Sequence, residues 1–223
     1  MDTFIYFSLS FVYGVVLVIG IIRATKNRWS LWSIFLLFVI AALVYDNTIL
    51  AIGRYIGEGD ILESLNAPRY WMHAIITPLL IPFVWQFLRA AELSWAKTRA
   101  ATLAVFFITS AVIMIDTIPL FHLSLQAEWQ HGVLSYGRVD GSGSPVMMVV
   151  ISLAMILTSI ILWKKQGWKW LFIGLVLMGL VGGLSIPLES HAIGNIAELT
   201  LIVALYTTQK FQDKQKWNNY LKS

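Results

Sequence analysis

Eight polar side chains lie inside or at the edge of otherwise apolar stretches: Asp46, Asn47, His73, Asp116, Glu189, His191, Asn195 and Glu198. Two of them are deep. At 1.5 Å per helical residue, Asp46 sits roughly 10 Å and Glu198 roughly 13 Å below the outer ends of their apolar stretches. A charged side chain near a bilayer midplane costs about 2.5–3.5 kcal/mol to insert. Both are therefore expected to face a protein interior or a wet cavity. Spacing agrees: His191, Asn195 and Glu198 stand at i, i+4 and i+7 of one helical stripe, Arg69, His73 and Thr77 share another, and Asp46, Leu50 and Gly53 a third. Two carboxylates on one pocket can give and take a proton. Asp46 and Glu198 are thus the expected catalytic pair. Asn47, His73, His191 and Asn195 are expected to orient them or bind substrate, with Asp116 and Glu189 at the rim. Arg54 and Arg69 would hold an anionic headgroup or neutralise the acids. The competing reading is mutual satisfaction, with Asp46 paired to Arg54 or Arg69 as interhelical glue.

The elements that position these groups follow from composition. Of 223 residues 58% are hydrophobic and 13% charged, against about 25% charged in soluble domains. The mean hydropathy is +0.73. Seven stretches reach the length of a membrane span: residues 3–22, 30–53, 70–88, 101–120, 145–163, 170–186 and 189–208, with an outer loop at 121–144. Of the 16 Lys and Arg residues, thirteen fall in connections on one side and three (Arg54, Arg69, Arg138) on the other. This asymmetry predicts an outside N-terminus and a cytoplasmic C-terminus, as in a multi-pass protein of a bacterial plasma membrane. The expected fold is an all-α membrane protein of about seven transmembrane helices in a single domain, with a pocket bounded by spans 2, 3, 4 and 7. Asp2 flanks the first stretch, which reads as a retained helix rather than a signal peptide. Pro78 and Pro82 predict a break in span 3. In the outer loop, Val133–Tyr136 and Arg138–Val139 flank Gly137, and a short hairpin is expected there.

The basic excess is explained by topology, so no nucleic-acid partner is expected. Absence of cysteine excludes disulfides and thiolate chemistry. A retinal-binding pump is excluded too, since its last span needs a lysine and every lysine here is at or beyond the basic interface. An acid in span 2 matched by an acid in span 7, in a short seven-helix chain, resembles the small integral-membrane terpene cyclases of fungal meroterpenoid pathways and their bacterial relatives. The resemblance implies a cyclase or isomerase acting on an isoprenoid or lipid, with Asp46 in the span-2 role, Glu189 or Glu198 in the span-7 role, and no cofactor. The sequence departs from that family at Tyr45-Asp46-Asn47, where the family carries a glutamate preceded by tryptophan.

Two alternatives stand beside it. His73 and His191, with Asp46 or Glu198, offer the nitrogen and oxygen ligands of a zinc-dependent lipid hydrolase. In general design this resembles the seven-helix ceramidase and adiponectin-receptor superfamily, although the run from His191 to Asn195 lacks the second histidine of that family's last helix. The same polar cluster would also serve a small-solute or ion transporter or a sensor.

Overall fold

The computed structural model describes residues 2–139, 145–183, 190 and 192–220. Helices α1 (Asp2–Lys26), α2 (Leu31–Ile56), α3 (Asp60–Ile76), α4 (Leu80–Ala90) and α5 (Arg99–Thr117) precede a hairpin of strands β1 (Leu125–Gln130) and β2 (Val133–Arg138). Helices α6 (Pro145–Gln166), α7 (Trp170–Gly183) and α8 (Ala192–Tyr220) follow. The fold is mostly helical. Five segments are long and apolar enough to cross a membrane: Asp2–Lys26, Leu31–Ile56, Asp60–Ala90, Arg99–His122 and Pro145–Gln166. Helix α7 is apolar but short, and α8 is long but carries a polar C-terminal half.

Local chemistry explains the boundaries. Ser30 caps α2 by accepting from the Ser33 N–H (3.3 Å), and Thr98 caps α5 through the Ala101 N–H (3.2 Å). Pro78 cannot supply a backbone donor, and the chain tightens into a 3₁₀ turn at Thr77–Leu79 between α3 and α4. Helix α3 starts at Asp60, so residues 60–69, expected as loop, are its first turns. Asp60 and Glu63 lie there, where the helix dipole favours negative charge.

Helix α4 is the centre of the bundle: Leu80 to Trp85, Phe87 and Leu88 are all buried. It packs on α2 and α6, α1 lies along α2, α7 along α8, and α3 touches α2 and α5. The outer helices bury one stripe and expose another. Tyr6, Leu9, Tyr13 and Gly20 of α1 are buried, whereas Phe4, Phe11 and Val18 are exposed. Apolar side chains on the outside are what a lipid-facing helix presents.

The hairpin pairs Gln130 with Val133 across a two-residue turn. His131 and Gly132 have φ of 49° and 84°, the positive pair that a type I′ turn requires. The turn is therefore at His131-Gly132 and not at Gly137, which pairs with Gln126 inside the ladder. Leu134 and Tyr136 pack with Ile49 of α2 and Leu62 of α3. Thr3 donates to the Gly132 carbonyl (2.8 Å), so α1 holds the tip.

Two helix ends at the opposite pole of the bundle carry a conformational cost. Arg28, after α1, has φ of 48°, and Glu92, after α4, has φ of 59°. In each case the next N–H reaches back into the last turn, Trp29 to the Ala24 carbonyl (3.0 Å) and Leu93 to the Leu88 carbonyl (3.3 Å). This closure favours glycine, and a left-handed side-chain residue costs about 1–2 kcal/mol. Helix α6 ends on Gly167 instead, at φ of 68°.

The hairpin's seat depends on Gly53. A Cβ there would lie 2.0 Å from the Leu134 carbonyl oxygen, a backbone atom that cannot swing aside. Gly53→Ala should lower stability by about 1–3 kcal/mol, read as a fall in the detergent-solubilised protein's melting temperature. An unchanged melting temperature would contradict this packing.

Candidate functional site

Beneath the hairpin lies a cavity of about 500 Å³. Its polar groups include Asp46 of α2, Arg69 and His73 of α3, and Asn195 and Glu198 of α8. Its walls are largely apolar, among them Leu43, Leu50, Met155, Met178 and Ile202. A concave, mostly apolar space with a few convergent polar groups is the usual form of a small-molecule site.

The best-defined contact is an ion pair. Arg69 donates from Nε to Asp46 Oδ1 at 2.7 Å, with 14% and 29% of the two side chains exposed. Its Nη1 donates to Asn66 Oδ1 at 2.6 Å. The same oxygen accepts the Tyr136 backbone N–H of β2 at 3.2 Å, and Asn66 Nδ2 donates to the Leu62 carbonyl at 2.7 Å. Tyr70 donates to the Tyr136 carbonyl (2.8 Å), and the Tyr136 hydroxyl accepts from the Gly59 N–H (2.9 Å). The hairpin, α2 and α3 are thus locked through one chain of bonds.

Glu198 is different. It lines the cavity and lies within electrostatic reach of Asp46. Among the described residues no hydrogen bond or salt bridge reaches its carboxylate. His73 is exposed on the cavity and lies 3.4 Å from Thr77 Oγ1 through Nδ1. It is also within electrostatic reach of Asp46 and Asp116.

The other expected site residues fall elsewhere. Asn47 is fully buried behind the cavity wall. Its Nδ2 donates to the Leu43 carbonyl (2.8 Å) and its Oδ1 accepts from Asn195 Nδ2 (3.2 Å), which ties α2 to α8. Tyr13 of α1 joins this seam by donating to the Asn195 carbonyl (3.2 Å). Arg54 is exposed, lies over the Tyr55 ring (5.5 Å) and is not at the cavity. Asp46 pairs with Arg69 and not with Arg54. Asp116 is buried on α5, and neither carboxylate oxygen has a hydrogen-bond partner among the described residues. No α5 residue lines the cavity, so the expected boundary of spans 2, 3, 4 and 7 is corrected. The lining comes from α1, α2, the α3–α4 segment, the hairpin, α6, α7 and α8. Glu189 and His191 lie outside the described residues. The zinc set of His73, His191 and Asp46 thus includes a residue outside the described ones; among the described residues no three His, Asp or Glu side chains converge to hold a metal ion.

Sequence reasoning missed Asn66, Tyr6 and Tyr136. Asn66 stands three residues before Arg69 and seven before His73, on the same helical face, a signal visible once α3 is extended by one turn. Tyr6 is a buried phenol on the cavity wall. The hairpin's cross-link through Tyr136 had no spacing signal at all. No protein-family model matches the chain, and no curated protein matches it.

The ion pair makes a sharp stability prediction. Arg69→Gln removes the charged partner of Asp46, and hydrogen bonds to charged groups contribute about 1.5–3 kcal/mol. A loss of that size is expected in chemical denaturation. The Asp46→Asn, Arg69→Gln double variant should recover part of it, because no uncompensated charge remains. Strict additivity of the two single effects would contradict the pairing.

Proposed function

We propose that this chain is a seven-span membrane enzyme that isomerises or cyclises an isoprenoid or other lipid by carboxylate acid–base chemistry. In this reading α7 and α8 are spans six and seven. The N-terminus and hairpin face outside, and the basic loops face the cytoplasm of a bacterial plasma membrane. Five long apolar helices and the charge asymmetry between the two sets of connections support that topology.

One observation carries the chemical assignment: of the carboxylates on this apolar-walled cavity, Asp2, Asp46 and Glu198, Asp46 is matched by a guanidinium while Glu198 faces no cation among the described residues. Asp46, matched by the Arg69 guanidinium, is suited to the ionised, proton-accepting role. Glu198, facing no cation among the described residues, is suited to carry the proton, since an unpaired charge in an apolar site is costly. Glu198 delivers its proton to one carbon of a substrate double bond. A second double bond attacks the resulting cation, and a carbon–carbon bond forms. A neighbouring C–H then loses its proton to Asp46, and the product is an isomer of the substrate. Asp46 then releases its proton to solvent and Glu198 takes one up from solvent, which resets the site. Tyr6 and Tyr70, both on the cavity wall, supply ring faces that stabilise a passing cation. The acid placement that resembles the membrane terpene cyclases agrees with these roles.

The test uses the purified protein in detergent, incubated in D₂O with the isoprenoid-containing lipid extract of its host membranes. Mass spectrometry should detect an isomer of the substrate with a new retention time and one hydrogen replaced by deuterium. Glu198→Gln keeps the side chain's shape, so melting should change by less than about 1 kcal/mol. Loss of acid catalysis should nonetheless slow turnover by about 10²–10⁴-fold. Absence of any mass-conserved conversion, or full activity in Glu198→Gln, would overturn the proposal.

A further inference from the structure

A second and larger cavity, of about 1000 Å³, opens at the pole opposite the hairpin. It is bounded by the α1–α2 turn, the end of α4 and the C-terminal part of α8. Arg23, Lys26, Arg28, Lys210, Lys214 and Lys216 line it. Two acids line it as well, and both are engaged. Glu92 is bound by Lys97, whose Nζ donates to its carboxylate. Asp213 accepts from Trp29 Nε1 (2.9 Å) and Asn27 Nδ2 (3.1 Å) at Oδ2, and from Gln209 Nε2 (2.9 Å) at Oδ1. These donors are neutral, so Asp213 is spent on structure and is not paired with a lysine. None of the six cations forms a salt bridge among the described residues.

The floor of this vestibule is closed by hydrogen bonds. Gln86 Oε1 accepts from Ser33 (2.8 Å) and Ser30 (3.1 Å), and Gln86 Nε2 donates to Gln209 Oε1 (3.1 Å). Ser33 and Gln209 are buried. Gln212, also on the wall, donates to Gln166 Oε1 (2.7 Å) while its own Oε1 has no partner among the described residues. The cavity is therefore a cup with a largely hydrogen-bonded polar base and an uncompensated basic wall. Its mouth carries Trp217, 62% exposed, the residue type that settles at a membrane–water interface.

The strained helix ends flank this cup. Arg28 and Glu92 both line it, and both hold positive φ where α6 uses glycine. Arginine at position 28 thus retains a charge at the cup where the backbone favours glycine.

We propose that this vestibule is a phosphate-binding site, which takes the phosphate group of an anionic lipid or of a soluble phosphate ester. Six cations around one concavity suit a ligand with several negative oxygens. Arginine forks and lysine ammonium groups match phosphate oxygens, and basic pockets between spanning helices hold lipid headgroups. This proposal does not depend on the chemistry assigned to the hairpin-end cavity.

The test is native mass spectrometry of the full chain released from nanodiscs of phosphatidylcholine doped with phosphatidic acid, with pyrophosphate titrated separately into lipid-free detergent protein. The native chain should retain phosphatidic acid over phosphatidylcholine by at least tenfold. Lys210→Glu with Lys214→Glu should abolish that preference. Lys164→Glu with Lys165→Glu, basic residues at the same pole but not on the vestibule wall, should leave it within twofold. Arg28→Gly should weaken retention several-fold while its melting temperature stays equal or rises, which separates a binding defect from misfolding. Vestibule-dependent lipid retention without displacement by millimolar pyrophosphate identifies a lipid headgroup. Vestibule-dependent pyrophosphate binding identifies a soluble phosphate ester. Either supports the site. Equal loss in the Lys164/Lys165 control, or no preference and no pyrophosphate binding in the native chain, overturns it.

Discussion

The Asp46–Arg69 ion pair is the contact on which the hairpin end depends. A carboxylate inside an apolar bundle needs a cation and a guanidinium needs acceptors, because little water is there to supply either. Each answers the other at 2.7 Å, and the arginine's second arm is held by Asn66. That amide oxygen also receives the backbone of β2. One charge pair thereby sets the rotation of α2 against α3 and the height of the hairpin above both. Glu198 enters the same cavity on α8, where its position is secured by apolar packing and by the Asn47–Asn195 bond rather than by a charge.

The molecule separates its chemistry by pole. Asp46, His73 and Glu198 converge near the hairpin, while uncompensated arginine and lysine surround a cup at the other end. Between them α4 is filled with buried Leu, Ile, Phe and Trp, which isolates the two polar regions. Beneath the basic cup, Gln86 ties Ser33 of α2 to Gln209 of α8.

The sequence located the long apolar helices well, because a span's length and hydropathy are properties of the chain alone. Depth in those helices brought Asp46, His73, Asn195 and Glu198 together, and the structure gives them one cavity. Arg54 was misplaced because adjacency in sequence is not adjacency on a helix. Gly53 follows Asp46 by seven residues and shares its face, whereas Arg54 is turned about 100° further. Asp116 was misplaced for a different reason: its depth was legible, but the partner of α5 was not, and α5 packs on α3 away from the cavity. The early start of α3 was hidden by its polar first turns. With them went Asn66, the side chain that connects the ion pair to the hairpin. Which strand residue Asn66 would meet is a tertiary fact with no local pattern.

The double use of the Asn66 oxygen has a consequence for traffic. Anything that arrives by prising the hairpin up from the watery side strips Asn66 of its strand contact, and with it the brace behind the arginine. Such a visitor reaches the cavity with the charges slack. A molecule that slips between the helices from the hydrocarbon leaves the brace in place and meets the pair already aligned. The two openings are therefore not equivalent: lifting the hairpin loosens the charge pair, and parting the helices does not.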